Sequence, residues 1–176
     1  MKASQKNIYC VDGEETWQIK EKVQSIIAQY LNSDQKSLGL EKIEDEISFE
    51  KVSTILQTPV FWTPYRVLLL WNPDFVQKTV PASWLSLFQT IELPYVLIVA
   101  LEGKLDGRRP LNKWLMSHGQ YSHFSKIQEW EMEKLLEYIA RLWENYDYQP
   151  ELPHYFLEKI GSQPSLLRSE SEKLKV

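Results

Sequence analysis

The sequence predicts an α/β domain with a mostly parallel sheet flanked by helices, followed by a small all-helical domain. Up to residue 126, short apolar runs alternate with helical patterns, and strands that alternate with helices form parallel sheets. The run at 95–101, Y-V-L-I-V-A-L, is apolar on both faces, as a central parallel strand is when helices cover both sides. From Ile127 onward only helical patterns remain.

Five strands are predicted from short apolar runs bounded by turn residues. They lie at 8–11, 38–43, 66–71, 95–101 and 121–124. The first strand is closed by Asp12 and Gly13, which together form a turn signal. The third is ended by the sequence N-P-D at 72–74.

Helices are predicted between and after these strands. They lie at 14–31, from 48 onward, at 82–91, from 110 onward, and at 129–146, 150–160 and 165–174. In the first helix, apolar residues recur at three- and four-residue spacing from Ile19 to Leu31. Ser48 is expected to cap the second predicted helix, and Pro110 suits the first turn of another.

Composition narrows the function classes. The chain has 176 residues, and its formal net charge of −4 argues against sequence-independent binding to phosphate backbones. Its single cysteine, Cys10, excludes an internal disulfide and a zinc site built from thiolates. Because the sequence shows no signal peptide or membrane span, we expect the protein to act in a reducing cytoplasm.

The sequence contains no catalytic constellation. The loop after the first predicted strand has one glycine followed by Glu14 and Glu15, which would repel a phosphate. The three histidines are scattered, and Cys10 lies in a predicted core strand. The adjacent carboxylates at 14–15 and 45–46 suit solvated helix ends better than acid–base chemistry.

The segment Q-T-P-V-F-W-T-P at 57–64 is unusual, because it places three large apolar residues between two prolines. Pro59 and Pro64 prevent a long helix or a central strand there. Adjacent side chains on a short turn cannot all enter one core, and exposed apolar groups often mark a docking surface. If any of the three apolar residues packs into the domain's own core, Trp62 is the one that the sequence favours for it.

Several motifs along the chain resemble the delta subunit of the bacterial DNA polymerase III clamp loader. They are I-Y-C-V-D-G-E-E-T-W-Q-I-K-E, Q-T-P-V-F-W-T-P-Y-R-V-L-L-L-W, P-Y-V-L-I-V-A-L-E-G-K-L-D-G-R-R-P-L-N-K-W-L and S-L-L-R-S-E-S-E-K-L. The K-L-D-x-R loop after an apolar strand and the final L-x-x-E-x-E-K-L are the most specific. Together the motifs cover nearly the whole chain. The single cysteine separates it from the delta-prime and ATP-hydrolysing subunits, which carry a cysteine-rich zinc module.

The resemblance implies an AAA+-like, clamp-interacting domain at 1–126 whose phosphate loop is degenerate. It implies an incomplete helical lid domain at 127–176. Family members continue into a helical collar domain that joins the loader ring, so the sequence is expected to be an N-terminal fragment. The subunit is expected to bind no cofactor and to be non-catalytic by itself, within a holoenzyme that has DNA-directed DNA polymerase activity.

The resemblance also implies a binding site. In this family a hydrophobic pair just before the third strand inserts into a pocket on the sliding clamp (the beta subunit) and helps to open its ring for loading onto primed DNA. By position that pair is Val60 and Phe61, and Gln57 adds a glutamine similar to that of clamp-binding peptides. Two departures are valine in place of the commoner leucine and the flanking Pro59 and Pro64. Other loader subunits would be contacted mainly through the collar domain, and primer–template DNA only within the complex.

Three alternatives remain open from the sequence. The chain could be a small nucleotide-binding α/β enzyme with an atypical phosphate loop. Arg108 and Arg109 could contact primer–template DNA directly. Val60, Phe61 and Trp62 could serve only to cap the domain's own core.

Overall fold

The structure, a computed structural model, describes residues 7–44 and 47–174. The carboxylate pair at 45–46 therefore lies outside the described residues. The chain divides into two compact units, 1–125 and 126–176, one residue before the predicted boundary. None of the helices within the described ranges has the length and apolar character needed to span a lipid bilayer.

The first unit alternates strands and helices, as predicted. Its strands are β1 (Ile8–Gly13), β2 (Leu40–Ile43), β3 (Arg66–Trp71), β4 (Tyr95–Glu102) and β5 (Gln120–Phe124). Its helices are α1 (Thr16–Tyr30), the short α2 (Lys36–Gly39), α3 (Phe49–Gln57), α4 (Ala82–Gln89) and α5 (Pro110–His118), with a 3₁₀ turn at Asp74–Val76. Ser48 caps α3, since its side chain accepts a hydrogen bond from Lys51 N at 3.2 Å. Pro110 opens α5, as predicted.

The five strands form one sheet in the order β2-β3-β4-β1-β5, and every adjacent pair is parallel. The central strands β1 and β4 are almost wholly buried, because helices cover both faces of the sheet. One face packs against α3, α4 and α5, and the other packs against α1. Alternate residues of β1 enter the two cores: Ile8 and Cys10 on the first face, Tyr9 and Val11 on the second.

Some boundaries differ from prediction. The first helix begins at Thr16, so Glu14 and Glu15 precede its first turn, and the Glu15 carboxylate accepts a hydrogen bond from Trp17 Nε1 at 3.0 Å. The second strand begins at Leu40, because residues 36–39 turn as α2 and leave Leu38 exposed. An apolar residue at a strand end does not by itself decide between strand and turn.

In its described part, residues 126–174, the second unit contains three helices: α6 (Met132–Leu142), α7 (Leu152–Ile160) and α8 (Pro164–Lys173). Its buried residues include Leu135, Tyr138, Ile139, Trp143, Phe156, Leu157 and Leu167. The α6 helix is shorter than the predicted 129–146. Trp130, which the predicted range would place within the helix, lies in the turn before α6 and is 77% exposed.

Gly13 tests the packing of β1 against β5 in the first unit. Its φ is +151°, and a Cβ there would lie 2.1 Å from the carbonyl oxygen of Phe124. We expect Gly13→Ala to lower the free energy of unfolding by about 2–4 kcal/mol, because both the clash and the backbone conformation penalise a side chain. Chemical denaturation would measure this.

The matched control is Gly107→Ala. An added Cβ at Gly107 would meet the Met116 side chain at ordinary contact distances, Sδ at 3.5 Å and Cε at 3.9 Å, so its effect should stay within about 0.5 kcal/mol. Equal stability of the two variants would contradict the close approach of β1 and β5 at Gly13.

Candidate functional site

The segment at 58–65 connects α3 to β3 and precedes the first residue of a parallel strand. It therefore lies at the edge of the sheet where the strands begin. The α3 helix ends at Gln57, just before Pro59, because proline disfavours a helical conformation for the residue that precedes it. Thr58 closes the helix end: its N–H donates to Thr54 O at 3.0 Å, and its hydroxyl donates to the same oxygen at 2.7 Å.

Hydrogen bonds and ring contacts hold this segment at both ends. The hydroxyl of Tyr95, the first residue of β4, donates to Thr58 O at 2.5 Å. At the other end the Thr63 hydroxyl donates to Tyr65 O at 2.7 Å, and the Tyr65 ring lies edge-to-face against Tyr30 with centroids 5.1 Å apart. These contacts, together with Pro59 and Pro64, leave the residues between them little conformational freedom.

Two of the three residues predicted to bind a partner, Val60 and Phe61, lie in this segment, and the third, Gln57, is the last residue of α3 directly before it. Phe61 is 77% exposed, as an apolar docking residue must be. Val60 is half-buried. Gln57 is exposed, and its side-chain nitrogen donates to Ser53 Oγ at 3.1 Å on the same helix.

The expectation that Trp62 packs into the core is wrong. Trp62 is 83% exposed, more than Phe61. The chain bends at 62–64, and the ring that returns to the domain is that of Tyr65, which packs against Tyr30. The sequence did carry a signal for this exposure, since Trp62 shares its inter-proline segment with Phe61.

The exposed segment is free of charge. From Val52 to Tyr65 no residue carries a formal charge, although a quarter of the chain is charged. The flanking Arg66 is paired with Glu41 at 3.4 Å, so its guanidinium is partly neutralised. The segment therefore offers apolar side chains and uncharged polar groups to a partner, as the centres of protein interfaces do.

The opposite edge of the sheet, where the strands end, contains the loop that would bind a phosphate in a nucleotide-binding domain. Only Glu14 and Glu15 separate β1 from α1. The Gly13 N–H donates to Gly103 O at 2.8 Å, and Gly103 N–H donates back to Gly13 O at 2.7 Å. The Glu14 N–H donates to Phe124 O at 2.9 Å. The N–H groups of Gly13 and Glu14, at the end of β1, are therefore already paired within the protein and are not available to an anion.

Asp12, predicted from the sequence only as a turn residue, is a buried carboxylate whose hydrogen bonds join several elements; we call it the Asp12 junction. It is 0% exposed, and its Oδ2 accepts from Leu105 N at 2.7 Å. Its Oδ1 accepts from the Tyr121 hydroxyl at 2.9 Å and lies 2.6 Å from His123 Nδ1. Asp12 thereby links β1 and β5 to the loop after β4. A carboxylate that ends a fully apolar strand was the sequence signal for such a partner.

Titration behaviour agrees with a structural role for this cluster. Burial, together with the Asp12 charge, raises the pKa of the Cys10 thiol to about 12. A thiol with that pKa is protonated near neutrality, and Cys10 is completely buried, so it is not a nucleophile. Burial and the hydrogen bond to Asp12 raise the pKa of Tyr121, whose hydroxyl therefore stays protonated as a donor.

The two arginines proposed as DNA contacts share one carboxylate. Arg108 donates to Asp106 through Nε at 2.8 Å and Nη2 at 3.1 Å, and Arg109 Nε lies 3.7 Å from the same carboxyl group. The Arg108 side chain and backbone N–H hold the pKa of Asp106 below its ordinary value. The loop thus presents less positive charge than its sequence suggests.

The histidines do not converge. His118 stacks on Trp114 with ring centroids 5.1 Å apart, His123 contacts Asp12, and His154 is exposed on α7. Within the described ranges no group of three or more His, Cys, Asp or Glu side chains has the geometry to hold a metal ion.

The Asp12 junction is testable by a nearly isosteric change. Asp12→Asn replaces one acceptor oxygen by an NH₂ group and leaves a buried donor without a partner, so we expect the free energy of unfolding to fall by about 1–3 kcal/mol. The control is Asp74→Asn, because Asp74 is exposed and paired only with Lys78, and that change should cost about 0.5 kcal/mol or less. Similar values for both variants in urea denaturation would contradict a junction role for Asp12.

Nucleotide binding is tested separately. Because the Gly13 and Glu14 N–H groups are already hydrogen-bonded, we expect no saturable heat when Mg-ATP is titrated into the chain by calorimetry. A P-loop ATPase measured under the same conditions serves as the positive control. Saturable binding would instead favour the alternative of a nucleotide-binding enzyme.

Comparison with solved structures establishes the fold. The Bacillus subtilis DNA clamp loader delta protein (YqeN) aligns over 96% of this chain and 52% of its own, with TM-score 0.75 and 19% identity. The Thermotoga maritima RuvB Holliday junction branch migration motor aligns over 96% and 54%, with TM-score 0.52 and 12% identity. AMPPCP-bound DnaA from Aquifex aeolicus aligns over 98% and 56%, with TM-score 0.54 and 13% identity. The chain thus spans about half the length of each of these proteins.

The fold class predicted through the resemblance is confirmed: a parallel five-stranded sheet flanked by helices, AAA+-like, followed by helices. A sequence search of curated proteins finds no match. The family model described as DNA polymerase III, delta subunit, matches residues 9–125, well over half of the chain. This match, on a fold shared with a clamp loader delta protein, shows that the chain belongs to the delta subunit family of the DNA polymerase III clamp loader.

Proposed function

We propose that this chain binds the sliding clamp through Phe61, Val60 and Gln57 and helps to open the clamp ring for loading onto primed DNA. The observation that carries the proposal is the exposure of Phe61, 77%, on a short segment anchored at both ends. That segment lies between α3 and β3, where the family resemblance puts the clamp-binding pair. A rigid exposed phenylalanine in an uncharged surround is suited to fill an apolar pocket.

The three residues contribute differently. Phe61 is the anchor, and burying its side chain is worth about 1.5–3 kcal/mol. Val60 is half-buried against its own domain, so it adds less new apolar contact and supports the approach of Phe61. Gln57 would exchange its hydrogen bond to Ser53 for one to the clamp, which makes its net contribution small.

Ring opening follows from unequal affinity. A protein shifts an equilibrium between closed and open forms only by the difference in its affinity for the two. A rigid segment is suited to this task, because it favours the clamp surface whose shape fits it. In our proposal the bound segment matches the distorted surface of the open clamp better than that of the closed ring.

The proposal assigns the chain no chemistry of its own. Its support is the hydrogen-bonded loop after β1 and the fully buried Cys10. We further propose that the helical unit of α6, α7 and α8 is the lid domain and that the protein acts in the cytoplasm within a clamp loader assembly. Other loader subunits and primer–template DNA would be contacted in that assembly.

Phe61→Ala tests the proposal. Loss of the ring that the clamp pocket would bury should weaken binding to the cognate clamp about 10- to 150-fold. The thermal unfolding midpoint should stay unchanged, because the side chain is exposed in the free protein. Surface plasmon resonance on immobilised clamp would measure the affinity.

Leu38→Ala is the matched control, because Leu38 is 64% exposed in the same unit but lies in α2. It should bind the clamp like the unaltered chain. Undiminished clamp binding by Phe61→Ala would contradict the proposed site. Equal losses of affinity in both variants would indicate nonspecific adhesion.

A further inference from the structure

Trp62 is an exposed residue that the proposed clamp contact does not explain. It is 83% exposed, the highest value among the large apolar residues that the structure describes as exposed. The pair carried over from the family is Val60 and Phe61, which leaves an indole ring in water beside it. Tryptophan is the residue type most enriched among interface hot spots, and it is rare on free surfaces.

The two exposed rings do not cover each other. Both Phe61 and Trp62 are more than three-quarters exposed. They are consecutive residues, and the chain bends from Trp62 to Pro64. A partner that contacts both rings must therefore supply apolar surface for each of them.

The surroundings of Trp62 have the character of an interface centre. The run from Val52 to Tyr65 has no charge, and interface centres are depleted in charged residues. The segment is fixed by the bond from Tyr95 to Thr58 O and by the bond from Thr63 to Tyr65 O. Because the backbone on either side of Trp62 is already ordered, docking the indole costs little conformational entropy.

We propose that Trp62 is a second anchor for the sliding clamp, seated on a clamp surface adjacent to the pocket that takes Phe61 but separate from it. The inference rests on the proposed function, and its occupant is the same partner because Trp62 is continuous in the chain with Phe61. The receiving surface is a shallow apolar patch with a hydrogen-bond acceptor at its rim, since an indole presents a large apolar face and one N–H donor.

The experiment compares Phe61→Ala, Trp62→Ala and the double variant for binding to the cognate clamp by surface plasmon resonance. Trp62→Ala should weaken binding by about 30-fold, as expected for an interface hot spot. Because the two anchors use separate surfaces, the double variant should bind more weakly than either single variant, and the double-mutant cycle measures the coupling between these neighbouring residues. Trp62→Phe should fall between Trp62→Ala and the unaltered chain.

Trp130→Ala is the matched control, because Trp130 is also 77% exposed but lies in the second unit. It should leave clamp affinity unchanged. Circular dichroism should show the same thermal midpoint for all five variants, since each altered side chain is exposed.

The outcomes separate this inference from the proposed function. Undiminished affinity of Trp62→Ala alongside a loss for Phe61→Ala would overturn the second anchor and keep the first. A double variant no weaker than Phe61→Ala would show one shared pocket and would also overturn it. Undiminished binding by both single variants would overturn both proposals. Altered self-association of free Trp62→Ala in sedimentation, with unchanged clamp affinity, would assign Trp62 to contact between copies of this chain and overturn the anchor.

Discussion

The hydrogen bonds that join the strand ends at the carboxyl edge of the sheet are the interaction on which the rest of the first unit depends. Gly13 and Gly103 exchange two backbone hydrogen bonds where β1 and β4 end, and Asp12 beside them joins β5 and the loop before α5. In parallel α/β sheets this edge ordinarily holds the ligand, because the strand ends open a crevice there. Here the backbone N–H groups of Gly13 and Glu14 at this edge bond within the protein instead. The edge consequently stabilises the sheet where a nucleotide-binding relative would bind phosphate.

The exposed apolar segment lies at the other edge of the sheet. Phe61 and Trp62 precede β3, and the residue that holds their segment, Tyr95, begins β4. The proposed partner-facing surface therefore lies at the starts of two adjacent interior strands, β3 and β4. A rigid sheet below a short, doubly anchored segment is a physical basis for presenting large apolar groups to a partner without their collapse onto the core.

Side-chain hydroxyls account for much of this rigidity. Thr58, Thr63 and Tyr95 each form a hydrogen bond to a backbone carbonyl within or next to the segment. Such bonds contribute only about 1 kcal/mol each, yet together they select one backbone path for a stretch that has no regular secondary structure. The family assignment and this geometry support each other, because the segment lies where members of the delta subunit family are expected to contact the clamp.

The sequence by itself determined the strand order along the chain, the ends of β3, the cap at Ser48 and the helix start at Pro110, because apolar period and capping chemistry are local properties. It also indicated that some of the three apolar residues at 60–62 face water, because they cannot all share one core, but the tertiary structure decided that these are Phe61 and Trp62. Only the tertiary structure decided that Tyr65, and not Trp62, returns to the domain, since that choice depends on where Tyr30 of α1 lies. The partners of Asp12 likewise lie about a hundred residues away in sequence, so a carboxylate at the end of an apolar strand signals that a partner exists, but only the tertiary structure identifies it.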